Sequence, residues 1–480
     1  MMTDRKEKKA SEFRRATTRN LATTRMMQQM SQSQLAEKIG TTKSSISRIE
    51  SGGQNITLDY VAAIAEAIGK EPVITLRDPV MEYGDESEYS LKLYDEELMR
   101  FRLSRDYKVP YYEDVLDRVR NANKVRFTAE ITYVNEARKN LLPIDMELTD
   151  SGVGAWLTSR TIPKNRAFVG NILSALGLNI TDIKGIIDVC LGLSLNDSYW
   201  VTQTDFDGSF TDYNLYENEF SEALSLIAYV GGMYNTEKFR TSPELTTGGM
   251  LRKAWRRMED NGIWLYKGGT EGFANTGNEP YCEYYAYQVA KKMGLNATPY
   301  SLERWKNTLA SKCRLFTDID TAYVPIGGIV KSGGIEAVLE YYKQLGDEYY
   351  QQVVSMLVFD AVIVNEDRHY GNFGILRDNH SGEVVAPAPI FDNGLSLLCY
   401  AMRQDFDDLE EYIKTRSNPY GAGYQFMDLA KSLMGPVQRK QLRRLIGFRF
   451  EESDISNLPT WRLRALEEMI QNRVQELLNA

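Results

Sequence analysis

The stretch Val364-Asn-Glu-Asp-Arg-His-Tyr-Gly-Asn-Phe-Gly374 decides how the rest of the chain is interpreted. It places Asp367 five residues before Asn372 in a polar turn, after an apolar, helix-like run from Val353 to Val364. A second carboxylate follows twenty residues after Asn372, in Ile390-Phe-Asp-Asn-Gly394. Asn, Asp and Gly are also the usual residues of any surface turn, so this stretch alone leaves two interpretations open.

Two aspartates and an asparagine in this pattern are what phosphoryl transfer requires. One Asp orients the attacking hydroxyl, the Asn reaches a metal ion, and the second Asp holds the metal on the nucleotide phosphates. The spacing from Asp367 to Asn372 equals that of the protein-kinase catalytic loop. The sequence therefore predicts Asp367 as the catalytic residue, with Asn372 and Asp392 as metal ligands.

The elements ahead of this stretch favour the same chemistry by their order. Gly248-Gly249 predicts a turn that leads into a strand over Leu251–Met258. Glu259-Asp-Asn-Gly262 is a strong hairpin signal, and Ile263–Gly268 predicts the returning strand. A lone pair of glycines is common in any hairpin, and no complete G-x-G-x-x-G is present.

A lysine and a glutamate follow that hairpin at informative places. Lys267 lies near the end of the second strand, and a helix from about Pro280 to Met293 carries Glu283. In a kinase small lobe, such a lysine holds the ATP phosphates and such a glutamate pins the lysine. Singly, Lys267 could be an exposed strand lysine, and Glu283 a first-turn acid favoured by the helix dipole.

Composition indicates a globular, intracellular chain of several domains. Of 480 residues, 43% are hydrophobic and 26% charged, which is ordinary for globular proteins. No apolar run approaches the length of a membrane helix, and the polar first residues do not resemble a secretory signal, so we expect a cytoplasmic location without membrane contact. Four isolated cysteines and two histidines argue against a zinc site and against a Cys-His nucleophile.

Charge is distributed unevenly along the chain. The net charge of -9 argues against nucleic-acid binding by the whole protein. Residues 1–30, however, carry eight Lys or Arg against three acidic residues, a local balance of +5. This asymmetry suggests a basic end that meets phosphate, although a solvated tail has the same composition.

The segment after this basic end predicts a bundle of short helices. Ser31 and Thr42 are positioned to cap helices over Gln32–Ile39 and Lys43–Glu50, with Gly40 in the turn between them. Thr57 caps a third helix, which ends at a glycine. Two short helices joined by a Gly-containing turn describe a helix-turn-helix, and the alternative is a small bundle that binds protein.

The stretch Ser31-Gln-Ser-Gln-Leu-Ala-Glu-Lys-Ile-Gly-Thr-Thr-Lys-Ser-Ser-Ile-Ser-Arg-Ile-Glu-Ser-Gly52 resembles the repressor-type helix-turn-helix of the Xre family. The resemblance implies that Gln32 touches phosphate and that a group of small polar and basic residues faces the major groove. That group is Thr42, Lys43, Ser44, Ser45 and Arg48. Such repressors bind operator DNA as dimers, so a homodimer is expected.

From about residue 142 onward, the chain resembles the HipA-like serine/threonine kinases, the toxin half of a bacterial toxin–antitoxin pair. The signatures are Phe359–Gly374, Ala388-Pro-Ile-Phe-Asp-Asn-Gly394 and the glycine turn followed by Lys253. The resemblance implies Asp367 as catalytic base, Asn372 and Asp392 as Mg²⁺ ligands, and Lys267 as the ATP lysine. It also implies that Lys253 faces the phosphates, and it adds Gly248, Gly249 and Glu283 to the ATP site.

Two departures from that family affect the interpretation. The helix-turn-helix, usually a separate antitoxin protein, is fused in front of the kinase, and the glycine loop differs from that of the most familiar members. Some members phosphorylate their own loop, which makes Ser242, Thr246 and Thr247 candidates for autophosphorylation.

The expected fold class is α+β: a bilobal, protein-kinase-like HipA fold with an extra amino-terminal subdomain, preceded by an all-α helix-turn-helix domain. The expected boundaries are 1–76 for the helix-turn-helix, 77–90 for a linker, 91–198 for the subdomain, 199–345 for the small lobe and 346–480 for the large lobe. No chemical role is predicted for the subdomain.

The expected function is an ATP- and Mg²⁺-dependent kinase of a protein Ser or Thr, with a DNA-binding module that represses its own operon. Two alternatives remain open: a transcription regulator with a catalytically silent kinase-like sensor, and a kinase of a small-molecule acceptor. Motifs for ATP say nothing about the acceptor, so the sequence leaves the substrate and the operator unidentified.

Overall fold

The computed structural model divides the chain into two compact units, Met1–Pro79 and Val80–Ala480. The described residues are 17–18, 20–26, 28, 30–72, 86–105, 127–232, 241–272, 275–416, 418–420 and 425–480. Most of the basic end and residues 77–85 of the expected linker lie outside the described residues.

The first unit contains short helices that begin where capping residues predict. Their bounds are α1 (Gln32–Lys38), α2 (Lys43–Glu50) and α3 (Leu58–Ala67). Ser31 and Gln34 form a capping box at α1, and the hydroxyls of Thr42 and Thr57 accept backbone N–H groups at α2 and α3. The helices enclose a small apolar core: Leu35, Ala36, Ile46, Ile49, Ile64 and Ile68.

An antiparallel sheet and several helices begin the second unit. The strands are β1 (Glu86–Leu93), β2 (Glu96–Arg105), β3 (Phe127–Val134) and β4 (Tyr199–Gln203). They lie in the order β3-β2-β1-β4. The helices are α4 (Asp150–Ser159), α5 (Val169–Ala175), α6 (Ile183–Cys190), α7 (Phe210–Tyr213) and α8 (Glu222–Val230), with 3-10 helices at Glu136–Leu141 and Pro243–Leu245.

This first sheet shifts two of the expected boundaries. β1 begins at Glu86, inside the expected linker 77–90, because Tyr89, Leu91 and Leu93 alternate into the core between polar residues. β4 pairs with β1 and so belongs to the subdomain, although its first residue was expected to begin the small lobe. The acidic residues at the start of β1 obscure the alternation of apolar and polar side chains that would predict a strand here.

A second antiparallel sheet forms the small lobe. Its strands are β5 (Lys253–Arg257), β6 (Ile263–Gly268), β7 (Tyr300–Trp305) and β8 (Thr308–Arg314), in the order β5-β6-β8-β7. A long helix, α9 (Glu279–Met293), packs against β7 and β8. Strand β6 has the expected bounds, whereas β5 is shorter than the expected strand because the residues around the glycine turn leave the ladder.

The rest of the second unit is mainly helical. A small sheet lies in the order β11-β10-β9 and is formed by β9 (Thr321–Pro325), β10 (Gly374–Asp378) and β11 (Val384–Pro387). The helices are α10 (Ile326–Ile329), α11 (Gly334–Leu345), α12 (Asp347–Ile363), α13 (Leu409–Lys414), α14 (Phe426–Leu433), α15 (Pro436–Arg443) and α16 (Thr460–Asn479), with a 3-10 helix at Arg403–Phe406.

The core of this lobe explains how the functional stretches are positioned. Helix α12 is buried from Val353 to Ile363. The turn that carries Asp367 follows directly after the end of this helix. Val364 ends the helix in a left-handed conformation. The expected α+β class, with an all-α helix-turn-helix domain in front, is confirmed.

Candidate functional site

Lys267 lies between two carboxylates that the chain brings from opposite lobes. Its Nζ is 2.5 Å from Glu283 Oε1 on α9 and 2.5 Å from Asp392 Oδ1 in the loop after β11. Burial alone would lower the pKa of Lys267, but the charges of Asp392 and Glu283 outweigh it and raise that pKa. The ammonium therefore stays charged, and it joins the two lobes.

Asp392 is ionised at this position. Burial would raise the pKa of its carboxyl group, but the charges of Lys267 and Lys253 hold that pKa below its ordinary value. Its backbone is left-handed, with φ of 56°, a conformation that Asp tolerates better than most residues. The backbone N–H of Asn393, the next residue, donates to Glu283 Oε2 at 2.8 Å, so α9 contacts this loop directly.

Asp367 lies half-buried in the turn of residues 364–374, here called the Asp367 turn. Its backbone N–H donates to Asn365 Oδ1 at 3.2 Å, and its carbonyl accepts from Asn372 Nδ2 at 2.9 Å. Burial and the negative charge of Asp392 raise the pKa of Asp367. Because Asn372 uses its Nδ2 inside the turn, its Oδ1 is the atom left for a cation.

A buried arginine ties the Asp367 turn to the Asp392 loop. Arg368 pairs with Asp360 of α12 at 3.1 Å, and both side chains are at most 1% exposed. The same guanidinium donates to the Phe391 carbonyl and to Asn393 Oδ1, on either side of Asp392. The relative position of the two predicted metal ligands therefore depends on Arg368.

Lys253 on β5 pairs with Lys267 across the sheet but has a different environment. These two lysines, Glu283, Asp392 and the Asp367 turn are together called the cleft. It is 6% exposed, and no described residue hydrogen-bonds or pairs with its Nζ. Burial, followed by the charge of Lys267, lowers the pKa of Lys253 to about 7. A Cβ at Gly249, where φ is 81°, would lie 2.2 Å from this Nζ, so only glycine permits the approach. At Gly248 a Cβ would meet nothing within 4 Å.

The three hydroxyls predicted for autophosphorylation differ in their freedom. Ser242 is 2% exposed and accepts from the Glu244 backbone N–H at 3.4 Å. Thr247 Oγ1 is held by Pro243 O at 2.6 Å and by Trp255 Nε1 at 3.0 Å. Among the residues that the structure describes, Thr246 Oγ1 donates only to Pro243 O, in a long bond of 3.4 Å. Thr246 is thus the least constrained of the three.

The donor set of the cleft fits magnesium. An ionised carboxylate at Asp392 and an amide oxygen at Asn372 are hard oxygen ligands, and Mg²⁺ in phosphotransfer sites takes one or two such groups together with phosphate oxygens and water. Among the described residues, no group of three or more His, Cys, Asp or Glu side chains is arranged to hold a metal. Any metal here would depend on the nucleotide for its remaining ligands.

In the first unit, most of the predicted DNA-contacting side chains are exposed on α2 or at its N-cap. Thr42, Lys43, Ser44 and Arg48 are exposed, and Ser45 is half-buried. Gln32 lies differently, because its Nε2 donates to Glu50 Oε2 at 2.8 Å. Glu50 also pairs with Arg25 at 2.6 Å. The Gln32 amide that is predicted to contact phosphate is therefore already hydrogen-bonded within the domain.

Residues 21–74 match the family model described as helix-turn-helix. Residues 21–74 are a helix-turn-helix domain. All six predicted DNA-contacting residues lie within this domain. No curated protein sequence matches the chain.

The solved structures that are similar to the chain include the following two. The proinflammatory kinase CtkA of Helicobacter pylori has 18% identity and a TM-score of 0.36, and the match covers 47% of this chain and 93% of CtkA. The toxin–antitoxin complex of HipA, HipB and operator DNA from Shewanella oneidensis MR-1 has 11% identity and a TM-score of 0.47, over 82% of this chain and 99% of that chain. Both TM-scores are below 0.5, so the assignment of a reaction depends on the cleft residues themselves.

The residues that hold the cleft together were not predicted from the sequence. Arg368 lies inside the quoted stretch, yet its partner Asp360 is hidden in an apolar helical run. A lone carboxylate in such a run is the signal that could have indicated a buried ion pair.

No helix in the described parts of the chain is long and apolar enough to cross a membrane.

Proposed function

We propose that the second unit is an ATP- and Mg²⁺-dependent serine/threonine kinase of the HipA toxin type. The observation that carries the proposal is the position of Lys267 between Glu283 and Asp392, with Asp392 tied through Arg368 to the Asp367 turn. A lysine pinned by a helix glutamate, a metal-binding Asp and a catalytic Asp-Asn turn are the parts that phosphoryl transfer uses.

The ATP phosphates would lie between Lys267, Lys253 and the glycine turn, here defined as residues 246–253. The Lys267 ammonium has three donors and uses two of them for Glu283 and Asp392, so one remains for a phosphate oxygen. Lys253 supplies a buried amino group without an anionic partner among the described residues, and a bound phosphate would favour its charged form. Mg²⁺, held by Asn372 Oδ1 and the Asp392 carboxylate, would offset the charge of the phosphates.

In the transfer step, Asp367 orients the acceptor hydroxyl and accepts its proton. The hydroxyl oxygen forms a bond to the γ-phosphorus, and the bond between that phosphorus and the β–γ bridging oxygen breaks, leaving ADP with the electron pair. The raised pKa of Asp367 makes it a better proton acceptor than an ordinary carboxylate. The bonds from its backbone N–H to Asn365 and from Asn372 to its backbone carbonyl hold the turn that carries this side chain.

Radiolabelled ATP with Mg²⁺ tests this reaction on the purified full chain. Wild type should label itself or a protein acceptor, and Asp367→Asn should lose about 10²–10³-fold in rate. Glu366→Gln is a matched control, because Glu366 is the adjacent carboxylate and pairs with Arg416 at 3.7 Å. Unchanged labelling by Asp367→Asn would refute the role of Asp367. A wild-type chain that binds ATP without any transfer would instead favour a silent sensor.

Within the chain, Thr246 is the proposed acceptor for autophosphorylation, since its hydroxyl is less constrained than those of Ser242 and Thr247. Phosphopeptide mapping should place the label on Thr246, and Thr246→Ala should remove it. Label that persists in Thr246→Ala and disappears in Thr247→Ala would contradict this choice.

The helix-turn-helix domain is proposed to bind its operator as a homodimer and to repress its own operon. Exposed Lys43 and Arg48 supply phosphate and base contacts from α2. In a mobility-shift assay on the upstream DNA, Lys43→Ala with Arg48→Ala should weaken binding strongly, and Asp367→Asn should leave it unchanged. A shift that survives deletion of residues 1–76 would place DNA binding elsewhere.

A further inference from the structure

The segment Arg166–Phe168, just before α5, belongs to the subdomain for which the sequence indicated no chemistry. In the structure it lies against residues 244–253, which contain the glycine turn. The inference below rests on the proposed function, because it assigns this segment a role in nucleotide binding.

One guanidinium holds both ends of the glycine turn. Arg166 Nη1 donates to the carbonyls of Glu244 at 2.7 Å and Thr247 at 3.1 Å, before the glycines. Its Nη2 donates to the Lys253 carbonyl at 3.0 Å, after them, and pairs with Glu244 Oε2 at 2.5 Å. Both side chains of the pair are 0% exposed. The second oxygen of Glu244 accepts from the Trp255 backbone N–H at 2.8 Å, which fixes the pair to β5.

The two residues after Arg166 add further contacts to the same turn. The Ala167 backbone N–H donates to the Met250 carbonyl at 2.8 Å. The Phe168 ring lies 5.5 Å from the Arg252 guanidinium, and Phe168 itself is left-handed with φ of 59°. A non-glycine residue in this conformation is strained and is kept only where its surroundings fix it.

These contacts matter because the turn would otherwise be loose. Adjacent glycines have more backbone freedom than any other pair, and a phosphate-binding turn must present its N–H groups and its lysine in one geometry. We propose that Arg166 is a positioning residue for ATP. It fixes the backbone on both sides of Gly248-Gly249 and thereby the place of Lys253. The planar fork of arginine suits four acceptors at once, which lysine cannot reproduce.

Nucleotide affinity tests this role in the full chain. Arg166→Met and Arg166→Lys should raise the dissociation constant for ATP at least about tenfold. They should change the dissociation constant for adenosine less than about twofold, because adenosine has no phosphate for the turn to hold. Steady-state kinetics should show the loss mainly in KM for ATP.

Arg160→Met is the matched control. Arg160 is also a buried arginine of the subdomain, and it pairs with Asp197 at 2.7 Å and donates to the Tyr199 carbonyl, away from the glycine turn. It should therefore lose stability without losing selectivity for ATP over adenosine. Glu244→Gln gives a milder test, because it removes the charge but keeps an oxygen for the Trp255 N–H.

The outcomes separate the positioning role from the proposed function. ATP affinity in the Arg166 variants equal to that of Arg160→Met would overturn the positioning role, as would an equal loss for adenosine. If Arg166→Met fails to fold, Arg166→Lys and Glu244→Gln provide the test, through the ratio of their dissociation constants for ATP and adenosine. A wild-type chain that binds no ATP would overturn the proposed function, and the positioning role with it.

Discussion

The Asp367 turn and the glycine turn both belong to the proposed ATP site, but they are held in different ways. Arg368 holds the Asp367 turn through partners between Asp360 and Asn393, all within one lobe and near in sequence. The glycine turn is held by Arg166, which is 78 residues from Glu244 and 87 from Lys253. The first turn is a local motif, and the second exists only in the folded chain.

The two lysines of the cleft show the same contrast in charge. Lys267 is compensated by two carboxylates at 2.5 Å, whereas Lys253 has none at bonding distance among the described residues. Lys267, with its two carboxylate partners, holds the lobes together. Lys253, without such a partner, is available to pair with an anion. The cleft therefore combines a stabilising cation with a cation that costs stability.

The largest effect should come from Arg368→Met, which breaks the support of the Asp367 turn. It leaves Asp360, at 0% exposure, without its cation, and we expect a loss of about 3–5 kcal/mol in the free energy of unfolding. Arg473→Met is the control, because Arg473 is also buried and donates to the Ala361 carbonyl of the same helix. Its loss should be about 1–2 kcal/mol. Urea unfolding that gives equal losses would show that the Asp360 pair has no special weight.

Lys267→Met should affect catalysis more than any other change in the small lobe. Glu283 and Asp392 would lose their shared cation, and the phosphates a donor, so kcat should fall about 10²–10³-fold. Lys312→Met removes a lysine from the neighbouring strand, where it pairs with Glu303 at 2.5 Å on the partly exposed side of the sheet. Comparable kcat values for the two variants would mean that Lys267 is structural only.

The difference between the two turns also explains what the sequence could predict. Asp367, Asn372 and Asp392 occur in short patterns with fixed spacing, and the capped helices of the first unit follow from Ser31, Thr42 and Thr57. In the same way, strand β6 and helix α9 follow from a hairpin signal and a helical period, which are properties of neighbouring residues.

The parts that could not be predicted depend on distant partners. Nothing near Arg166 indicates Glu244, and nothing near Asp197 indicates that it pairs with Arg160 instead of only closing a turn. Buried ion pairs of this kind form only when the fold brings two separate segments together. The place of β4 in the first sheet could not be predicted for the same reason. It pairs with β1, which is about a hundred residues away in sequence, and such a pairing leaves no local pattern.

A pH-dependent stability should distinguish Lys253 from Lys267. Below pH 7 both the folded and the unfolded chain keep the Lys253 proton, so the full cost of burying the charge is present. Between its folded pKa of about 7 and its ordinary pKa of about 10.4, only the unfolded chain keeps the proton, so stability rises with pH. Lys253→Met should therefore be more stable than wild type near pH 6.5, and the difference should narrow toward pH 10. Urea unfolding across this range checks the sign, and a difference that widens with pH contradicts it.

The smallest effect, and the sharpest test of the glycine turn, comes from its two glycines. Gly249→Ala places a Cβ 2.2 Å from Lys253 Nζ and forces alanine to φ of 81°, which costs about 1–2 kcal/mol even without the contact. Gly248→Ala meets nothing within 4 Å and should change the free energy of unfolding by less than about 0.5 kcal/mol. KM for ATP should rise only in Gly249→Ala, because only that Cβ displaces the lysine. Equal KM values for the two variants would mean that the approach of Lys253 to Gly249 has no part in binding phosphate. The contrast between the two turns would then be limited to the residues that hold each turn in place.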